Sequence, residues 1–345
     1  MTGFLALEDG TVFRGESVGA DGFAAGEAVF TTGMSGYQEA VTDPSFAEQL
    51  ICFTAPMIGN YGVAESRSES NRTHAKAVLM REARGPEWMD WLRERGVVAL
   101  TGIDTRSLVL KIRDLGSMRA VAVGGSGSIE EAVEAARAIP AMDGRELARG
   151  VSTPEAYTYA AEGRVRVAVV DYGVKSSVLR RLAAAGAAVD VHPHRVGADD
   201  LASYEGVLFS PGPGDPEPLH EETETMRALL GRTNILGICL GHQVLAMATG
   251  HETFKLPFGH RGANHPVLQR SHQRVLVTSQ NHGFAVRAQD SSEATHVSLY
   301  DGTVEGLDFP ELRARSLQFH PEAGPGPHDA WPLIETWVED VAAQS

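Results

Sequence analysis

Cysteine is scarce in this sequence, and its scarcity narrows the class of protein. Among 345 residues only Cys52 and Cys239 occur, so the chain is not a disulfide-stabilised extracellular scaffold. The N-terminal residues lack the basic stretch and apolar core of a signal peptide, and no apolar run reaches membrane-spanning length. We therefore expect a soluble, cytoplasmic protein.

Positive charge is also in short supply. The sequence has 30 Lys+Arg against 45 Asp+Glu, a formal net charge of -15, and no basic block offsets the scattered acidic residues. Binding to phosphate backbones without sequence specificity favours the opposite balance, so we expect neither nucleic-acid nor membrane-surface binding. A phosphate-binding loop is missing too, because Gly173-Val-Lys-Ser has no upstream glycine. An ATP site in this chain is not expected.

The chain is long enough for two domains, and its pattern changes part-way along. Residues 1–150 combine β-rich runs with helical patterns and a hairpin that turns at Asp9-Gly10, which predicts a mixed α/β domain. Residues 151–164 are mixed and polar, and we interpret them as the connection. In residues 165–345, apolar β-branched runs alternate with helical patterns. This alternation predicts an α/β domain with a parallel-rich sheet flanked by helices.

Four segments with unusual residues follow predicted strands of the second domain. In open α/β sheets, ligands bind outside the carboxyl ends of the strands, so these segments are the first candidates for a functional site. They are Ser210–Asp215, Gly237–Gly241, Gln280–Phe284 and Gln318–Glu322.

The sharpest of the four segments is Gly-Ile-Cys-Leu-Gly, centred on Cys239. It has the form of a nucleophile elbow, a strained strand-to-helix turn that needs small residues two positions to either side. The following helix would direct its N-terminus at the sulfur and stabilise a thiolate. The backbone N–H of Leu240 is the natural donor to an oxyanion, and Gly212, in a glycine-rich loop, is the most plausible second donor.

Two other interpretations of Cys239 are a buried cysteine that packs as a small hydrophobe and a zinc ligand paired with His242. The two flanking glycines argue against the first. The absence of a second ligand pair with matched spacing argues against the second, so no metal site is expected. Cys52 lacks any such setting and is expected to be a core residue.

Of the thirteen histidines, His320 has the best claim to be the base that serves Cys239. It ends a strand-like run, and Glu322 stands two positions on, where a carboxylate can orient the imidazole. His242 lies within the first turn of the predicted helix, where the helix dipole disfavours a protonated ring. The competing candidates by composition are His242, His260, His265 and His282.

Together the four segments resemble the class I glutamine amidotransferases, over residues from about 165 to 340. GICLGHQ and HPE, in that order, carry the resemblance. It implies that Cys239 attacks the side-chain amide of glutamine and forms a thioester, that His320 transfers protons, and that Glu322 orients His320. It also implies contacts with glutamine for residues in or close to three of the segments: Gly212, Gly214, Leu240, Gln243, Asn281, Gly283 and Phe284.

The first domain indicates where the ammonia goes. The run GEAVFTTGMSGYQEAVTDPSFAEQLICFTAP closely resembles the N-terminal domain of carbamoyl-phosphate synthetase small subunits. The resemblance implies that Ser45 reaches the glutamine site. It also implies a large partner subunit that makes carbamoyl phosphate from ammonia, bicarbonate and ATP for arginine and pyrimidine biosynthesis. ATP and Mg²⁺ would bind that subunit, and this chain would need no cofactor. Two departures from the family pattern are residues 32–35 and Pro211, which lacks a backbone donor beside the predicted oxyanion loop.

Three alternatives remain at this point. An amidotransferase subunit of an anthranilate- or nucleotide-type synthase would generally lack a domain like residues 1–150. A non-catalytic subunit of the same fold would have a broken triad, whereas all three members are present here. A cysteine hydrolase of other γ-glutamyl compounds would form no stable complex with a synthetase.

Overall fold

The computed structural model describes residues 2–288 and 291–344, and within them the chain divides into two units. The first unit runs to Met142 and also takes in Leu256–Gly262. The second runs from Asp143 to Lys255 and resumes at Ala263. None of the helices in the described ranges is long and apolar enough to cross a membrane.

The first unit contains strands and helices in mixed order. Its strands are β1 (Thr2–Leu7), β2 (Val12–Ser17), β3 (Gly22–Thr31), β4 (Gln49–Phe53), β5 (Met57–Ile58), β6 (Ala77–Leu79), β7 (Glu82–Ala83), β8 (Val98–Thr101) and β9 (Met118–Gly124). Its helices are α1 (Tyr37–Thr42), α2 (Pro86–Glu94), α3 (Thr105–Leu115) and α4 (Ile129–Ala138), with short 3₁₀ turns at Pro44–Phe46 and Glu65–Arg67.

The second unit alternates strands and helices. Its strands are β10 (Tyr157–Ala160), β11 (Val165–Asp171), β12 (Ala187–Pro193), β13 (Gly206–Phe209), β14 (Asn234–Ile238), β15 (Glu252–Gln269, of which residues 256–262 belong to the first unit), β16 (Arg274–Arg287), β17 (Ala294–Ser298), β18 (Val304–Phe309) and β19 (Ala314–Leu317). Its helices are α5 (Ala148–Val151), α6 (Ser176–Ala184), α7 (Ala198–Leu201), α8 (His220–Leu229), α9 (Leu240–Ala248) and α10 (Trp331–Ala343), with a 3₁₀ turn at Pro310–Leu312.

A closed barrel forms the centre of the first unit, in the strand order β1-β2-β8-β6-β4-β3-β9. The predicted hairpin is confirmed: β1 and β2 pair antiparallel from Thr2 opposite Glu16 to Ala6 opposite Val12. Parallel pairs join β3 to β4, β4 to β6 and β6 to β8, so the barrel mixes both directions. Closure leaves no free sheet edge, which removes the usual site of strand-to-strand aggregation.

Helix α2 covers one side of the barrel through aromatic side chains. Trp88 is fully buried, with its ring 5.3 Å from that of Trp91 and 4.6 Å from that of Tyr37 between centroids. Pro86 begins the helix at a position where its missing N–H costs nothing. This cluster, with the apolar strands beneath it, is one of the two main cores of the unit.

The second unit is built on a sheet whose central strands β12, β11, β13, β14 and β19 are parallel. Strand β18 continues the sheet antiparallel to β19. The predicted parallel-rich α/β architecture is therefore confirmed. Because β11, β13, β14 and β19 run in one direction, their carboxyl ends meet at one edge. The segments that follow these strands consequently lie together.

The boundaries between the units differ from the predicted division at residues 150 and 165. The residues after Asp143 belong to the second unit because Glu146 forms a β-bridge with Gly214 and the Asp215 carboxylate accepts a hydrogen bond from the Gly144 N–H at 2.7 Å. Residues 151–164 are not a free connection, since β10 pairs with β12. Leu256–Gly262 belong to the first unit because the Ser117 N–H donates to the Pro257 carbonyl at 2.7 Å.

We expect Trp88→Ala to lower the free energy of unfolding by about 3–5 kcal/mol, because it removes a large buried ring and leaves a cavity. Urea unfolding followed by circular dichroism measures the change. The matched control is Met34→Ala, which truncates a side chain that is 83% exposed and should shift stability by no more than about 0.5 kcal/mol. Equal effects of the two changes would show that the aromatic cluster is not a core.

Candidate active site

The turn predicted around Cys239 is present. Cys239 lies between β14 and α9 with φ 53° and ψ -102°, a strained combination for a residue with a side chain. A Cβ atom on Gly241 would stand 2.1 Å from the Phe209 carbonyl oxygen, and one on Gly237 would stand 2.5 Å from the Gly241 carbonyl oxygen. Both flanking positions therefore require glycine, which explains the pattern in the sequence.

The two expected oxyanion donors come from neighbouring residues. Leu240 is the first residue of α9, and the first amides of a helix have no partner within the helix. A Cβ on Gly212 would lie 2.9 Å from the Leu240 Cδ2 atom, so the loop passes directly beside the start of α9. The Gly241 N–H donates to the Ser210 carbonyl at 3.2 Å and ties the loop to the helix.

His320 and Glu322 form a buried pair after β19. The His320 Nδ1 atom is 2.7 Å from Glu322 Oε1, and both side chains are almost wholly inaccessible. His320 Nε2 is buried and makes no hydrogen bond of ordinary geometry to the described residues. The Cys239 side chain nevertheless lies close enough to raise the pKa of the ring. The structure thus brings all three predicted triad members together.

Lys175 is a fourth member of this group that the sequence did not suggest. It lies just after β11, only 2% exposed, with Nζ 2.7 Å from Glu322 Oε1 and 2.9 Å from the Gly324 carbonyl oxygen. The residues around Lys175 predicted only that this segment is not a phosphate loop. Its position just after a predicted parallel strand could have marked it as a site residue, because functional sites lie at the carboxyl ends of such strands.

Opposing effects set the charges of this group. Burial is the largest single effect on His320 and lowers its pKa. The Glu322 carboxylate and the Cys239 side chain together outweigh it and raise the pKa to about 10, despite the opposing charge of Lys175. Burial raises the pKa of Glu322, yet Lys175 and His320 hold it well below its ordinary value. At neutral pH the carboxylate is ionised while both partners are cationic.

Residues predicted to contact glutamine line the surroundings of Cys239. Cys239 itself is 2% exposed, and its Sγ donates to the Asn281 carbonyl at 3.6 Å. The Gln243 side-chain amide, one turn along α9, donates to the Phe284 carbonyl at 2.9 Å and to Gln318 Oε1 at 3.1 Å. These bonds fix Gln243 to β16 and to the segment that follows β19. Gly283 lies on β16 between Asn281 and Phe284. Their contacts with glutamine stay a prediction.

Two predicted residues have settings of another kind. Gly214, at φ 95°, bridges to Glu146 and so anchors the far end of the Ser210–Asp215 loop. Ser45 belongs to the first unit, in the 3₁₀ turn after α1, where the Asp43 carboxylate accepts its N–H at 2.8 Å. The Ser45 hydroxyl is buried and has no hydrogen-bond partner among the residues described. Its role in binding glutamine also stays a prediction.

Three of the histidines that compete with His320 are engaged elsewhere. His242 Nδ1 is 2.8 Å from the Ser316 hydroxyl, and burial lowers the pKa of its ring to about 3, so it stays neutral. The His282 ring bonds the Phe284 carbonyl and Gln280 Oε1. His265 packs edge-on against Tyr300, with ring centroids 5.2 Å apart.

Cys52 behaves as the core residue that was expected. It lies in β4 with no exposed surface, and burial raises the pKa of its thiol far above the ordinary range. A thiol that stays protonated is a poor nucleophile. Cys52 is therefore not a candidate nucleophile.

Comparison with known proteins agrees with this geometry. Residues 5–122 match the family model for the carbamoyl-phosphate synthase small chain, CPSase domain, and residues 168–339 match that for class I glutamine amidotransferases. Over 98% of its length the chain is 42% identical to the carbamoyl phosphate synthase small chain of Xanthomonas campestris pv. campestris, of which 97% is covered. The chain belongs to the carbamoyl phosphate synthase small chain family.

Other members of the family are equally similar. The carbamoyl phosphate synthase small chain of Pseudomonas aeruginosa is 42% identical, with 98% of each chain covered. That of Chlorobaculum tepidum is 43% identical, covering 97% of this chain and 96% of the relative. Both halves of the chain therefore share the ancestry of the family, including the barrel unit.

We expect His320 to stabilise the fold in a pH-dependent way. Its pKa rises on folding from about 6.5 to about 10, so its contribution is complete below the lower value and is lost as pH rises through the higher one. The difference in unfolding free energy between wild type and His320→Gln should shrink between pH 7 and pH 10, by at most about 1.4 kcal/mol per pH unit.

Urea unfolding at a series of pH values tests this expectation. The exposed His272 provides the control, and His272→Gln should show no comparable trend. A difference for His320→Gln that stayed constant with pH would contradict the assigned charge state.

Proposed function

We propose that this chain is the glutaminase subunit of a glutamine-dependent carbamoyl-phosphate synthetase. It hydrolyses glutamine to glutamate and ammonia and passes the ammonia to a large synthetase subunit. The observation that carries the proposal is the strained, buried Cys239 beside the His320–Glu322 pair, in a chain that matches its family along almost its whole length.

In the first half-reaction, the Cys239 sulfur bonds to the γ-amide carbon of glutamine. The amide oxygen becomes an oxyanion, which the N–H groups of Leu240 and Gly212 stabilise. His320, cationic at neutral pH, gives a proton to the nitrogen as the C–N bond breaks and ammonia leaves. A γ-glutamyl thioester remains on Cys239, and His320 is now neutral.

In the second half-reaction, neutral His320 removes a proton from water. The resulting hydroxide adds to the thioester carbon, and the same two backbone amides stabilise the new oxyanion. The C–S bond then breaks, and glutamate and the free thiolate form. Glu322 holds the imidazole in one orientation throughout, and Lys175 limits how strongly that carboxylate keeps the proton on His320.

Ammonia in bulk water near pH 7 is mostly protonated and cannot act as a nucleophile. It must therefore reach its acceptor through a passage that excludes water. The acceptor chemistry requires ATP and Mg²⁺, which we place on the large subunit because this chain has no phosphate loop. The carbamoyl phosphate would serve arginine and pyrimidine biosynthesis in the cytoplasm.

The alternatives are less well supported. The match of residues 5–122 to the small-chain domain favours a carbamoyl-phosphate synthetase over an anthranilate- or nucleotide-type partner. The close packing of His320 against Glu322 argues against a non-catalytic subunit. A hydrolase of other γ-glutamyl compounds would form no complex with a large synthetase subunit, so the mixing experiment below distinguishes it from our proposal.

We expect Cys239→Ser to lower glutamine hydrolysis at least 1000-fold, since a hydroxyl beside this base is a far weaker nucleophile than a thiolate. Release of glutamate by the purified chain measures the rate. Cys52→Ala is the control, because it removes the other thiol and should leave the rate within a few-fold of wild type. If Cys239→Ser kept the wild-type rate, the thioester mechanism would be wrong.

We expect the purified chain to hydrolyse glutamine slowly alone and at least 10-fold faster when mixed with the large synthetase subunit, its proposed partner. Size-exclusion chromatography should show a stable complex. Within that complex, Cys239→Ser should abolish synthesis from glutamine but leave synthesis from added ammonium salts. Failure to form a complex would favour the γ-glutamyl hydrolase.

A further inference from the structure

Ser210 is fully buried directly after β13, and its hydroxyl makes two hydrogen bonds. Oγ accepts the N–H of Tyr172 at 2.9 Å and donates to the carbonyl oxygen of the next residue, Pro211, at 2.8 Å. The first bond joins the hydroxyl to the segment that follows β11. The second joins it to the peptide unit that contains the Gly212 N–H.

A trans peptide unit is planar, so its C=O and N–H point in opposite directions. The unit between Pro211 and Gly212 carries the Pro211 carbonyl on one side and the Gly212 amide on the other. When Ser210 holds the carbonyl, it also sets the direction of the Gly212 N–H. A half-turn of this peptide would replace the donor with a carbonyl oxygen and repel an oxyanion.

Pro211 and Gly212 differ in how strongly they restrict the rotation of the peptide between them. The ring of Pro211 fixes its own φ near -65°. Gly212 must be glycine, because a Cβ there would stand 2.2 Å from the Tyr172 carbonyl oxygen, and glycine permits conformations that other residues avoid. The close approach that the site requires therefore also makes the peptide easier to flip.

The far end of the Ser210–Asp215 loop is held by hydrogen bonds of Asp215. The Asp215 N–H donates to the Arg145 carbonyl at 3.0 Å, and Asp215 Oδ2 accepts the N–H of Gly144 at 2.7 Å. Ser210 is thus the side chain that acts on the Pro211–Gly212 peptide itself, while Asp215 fixes the path of the loop.

We propose that Ser210 is a positioning residue whose hydroxyl holds the Pro211–Gly212 peptide so that the Gly212 N–H faces the oxyanion. The inference rests on the proposed glutaminase function. Because the donor acts on a charge that develops during the reaction and is absent from bound glutamine, its loss lowers kcat and leaves the binding of glutamine nearly unchanged.

The test is steady-state glutamine hydrolysis by the full-length chain, as wild type and as Ser210→Ala. Losing an oxyanion donor outright costs about 100- to 1000-fold in kcat, so a donor that is present but no longer held should cost at least about 10-fold. KM should stay within about 3-fold. If the alanine variant does not fold, Ser210→Cys replaces it. Cysteine keeps the approximate size of the side chain but is a weak hydrogen-bond donor, so the same loss of kcat is expected.

The control is Thr233→Val, which deletes another buried hydroxyl of the same unit, one that donates to the Tyr204 carbonyl at 2.9 Å. It should lower the melting temperature by an amount similar to Ser210→Ala and leave kcat unchanged. Equal loss of kcat in both variants would reduce Ser210 to a general structural role and overturn the proposal.

Two further outcomes are distinguishable. An active wild type with an equally active Ser210→Ala, or a variant whose KM rises as much as its kcat falls, would overturn the proposal for Ser210 alone. A wild-type chain that hydrolyses no glutamine, alone or with the large subunit, would overturn the proposed function and this inference with it.

Discussion

The buried carboxylate of Glu322 is the charge on which the candidate site depends. Its side chain has no accessible surface, and an ion in that position without partners would cost several kcal/mol. Lys175 and His320 both compensate it from within hydrogen-bond distance. The carboxylate therefore fixes two cations, and one of them is the ring that we propose exchanges protons with Cys239 and glutamine.

The sheet is what makes this charge arrangement possible. Lys175 follows β11, Cys239 follows β14, and Glu322 follows β19, and these strands run parallel. Three segments far apart in the chain consequently converge at one edge without any long excursion of a loop. The strain at Cys239 is stabilised by the same framework, since its N–H donates to the Leu317 carbonyl at 2.8 Å, at the end of β19.

The candidate nucleophile and its candidate base could be predicted from local patterns, because the residues that identify each of them are its near neighbours in the sequence. The glycines around Cys239 and the spacing of His320 and Glu322 are of this kind. The role of Lys175 was not predicted because its partner, Glu322, is far away in sequence and no residue near Lys175 indicates the ion pair. The barrel was expected only as a mixed α/β domain, since closure depends on pairings such as β1 with β9. The return of Leu256–Gly262 to the first unit was missed for the same reason: contacts distant in sequence decide it.

Composition and site electrostatics act on different scales here. The whole chain carries a formal charge of -15. Charges on the surface are screened over about 10 Å at ordinary ionic strength, whereas buried charges at hydrogen-bond distance are hardly screened. Within the candidate site, the cations of His320 and Lys175 outnumber the single carboxylate of Glu322. The immediate neighbours therefore set the local electrostatics of the site, and the acidic surface bears on solubility and on the choice of partners.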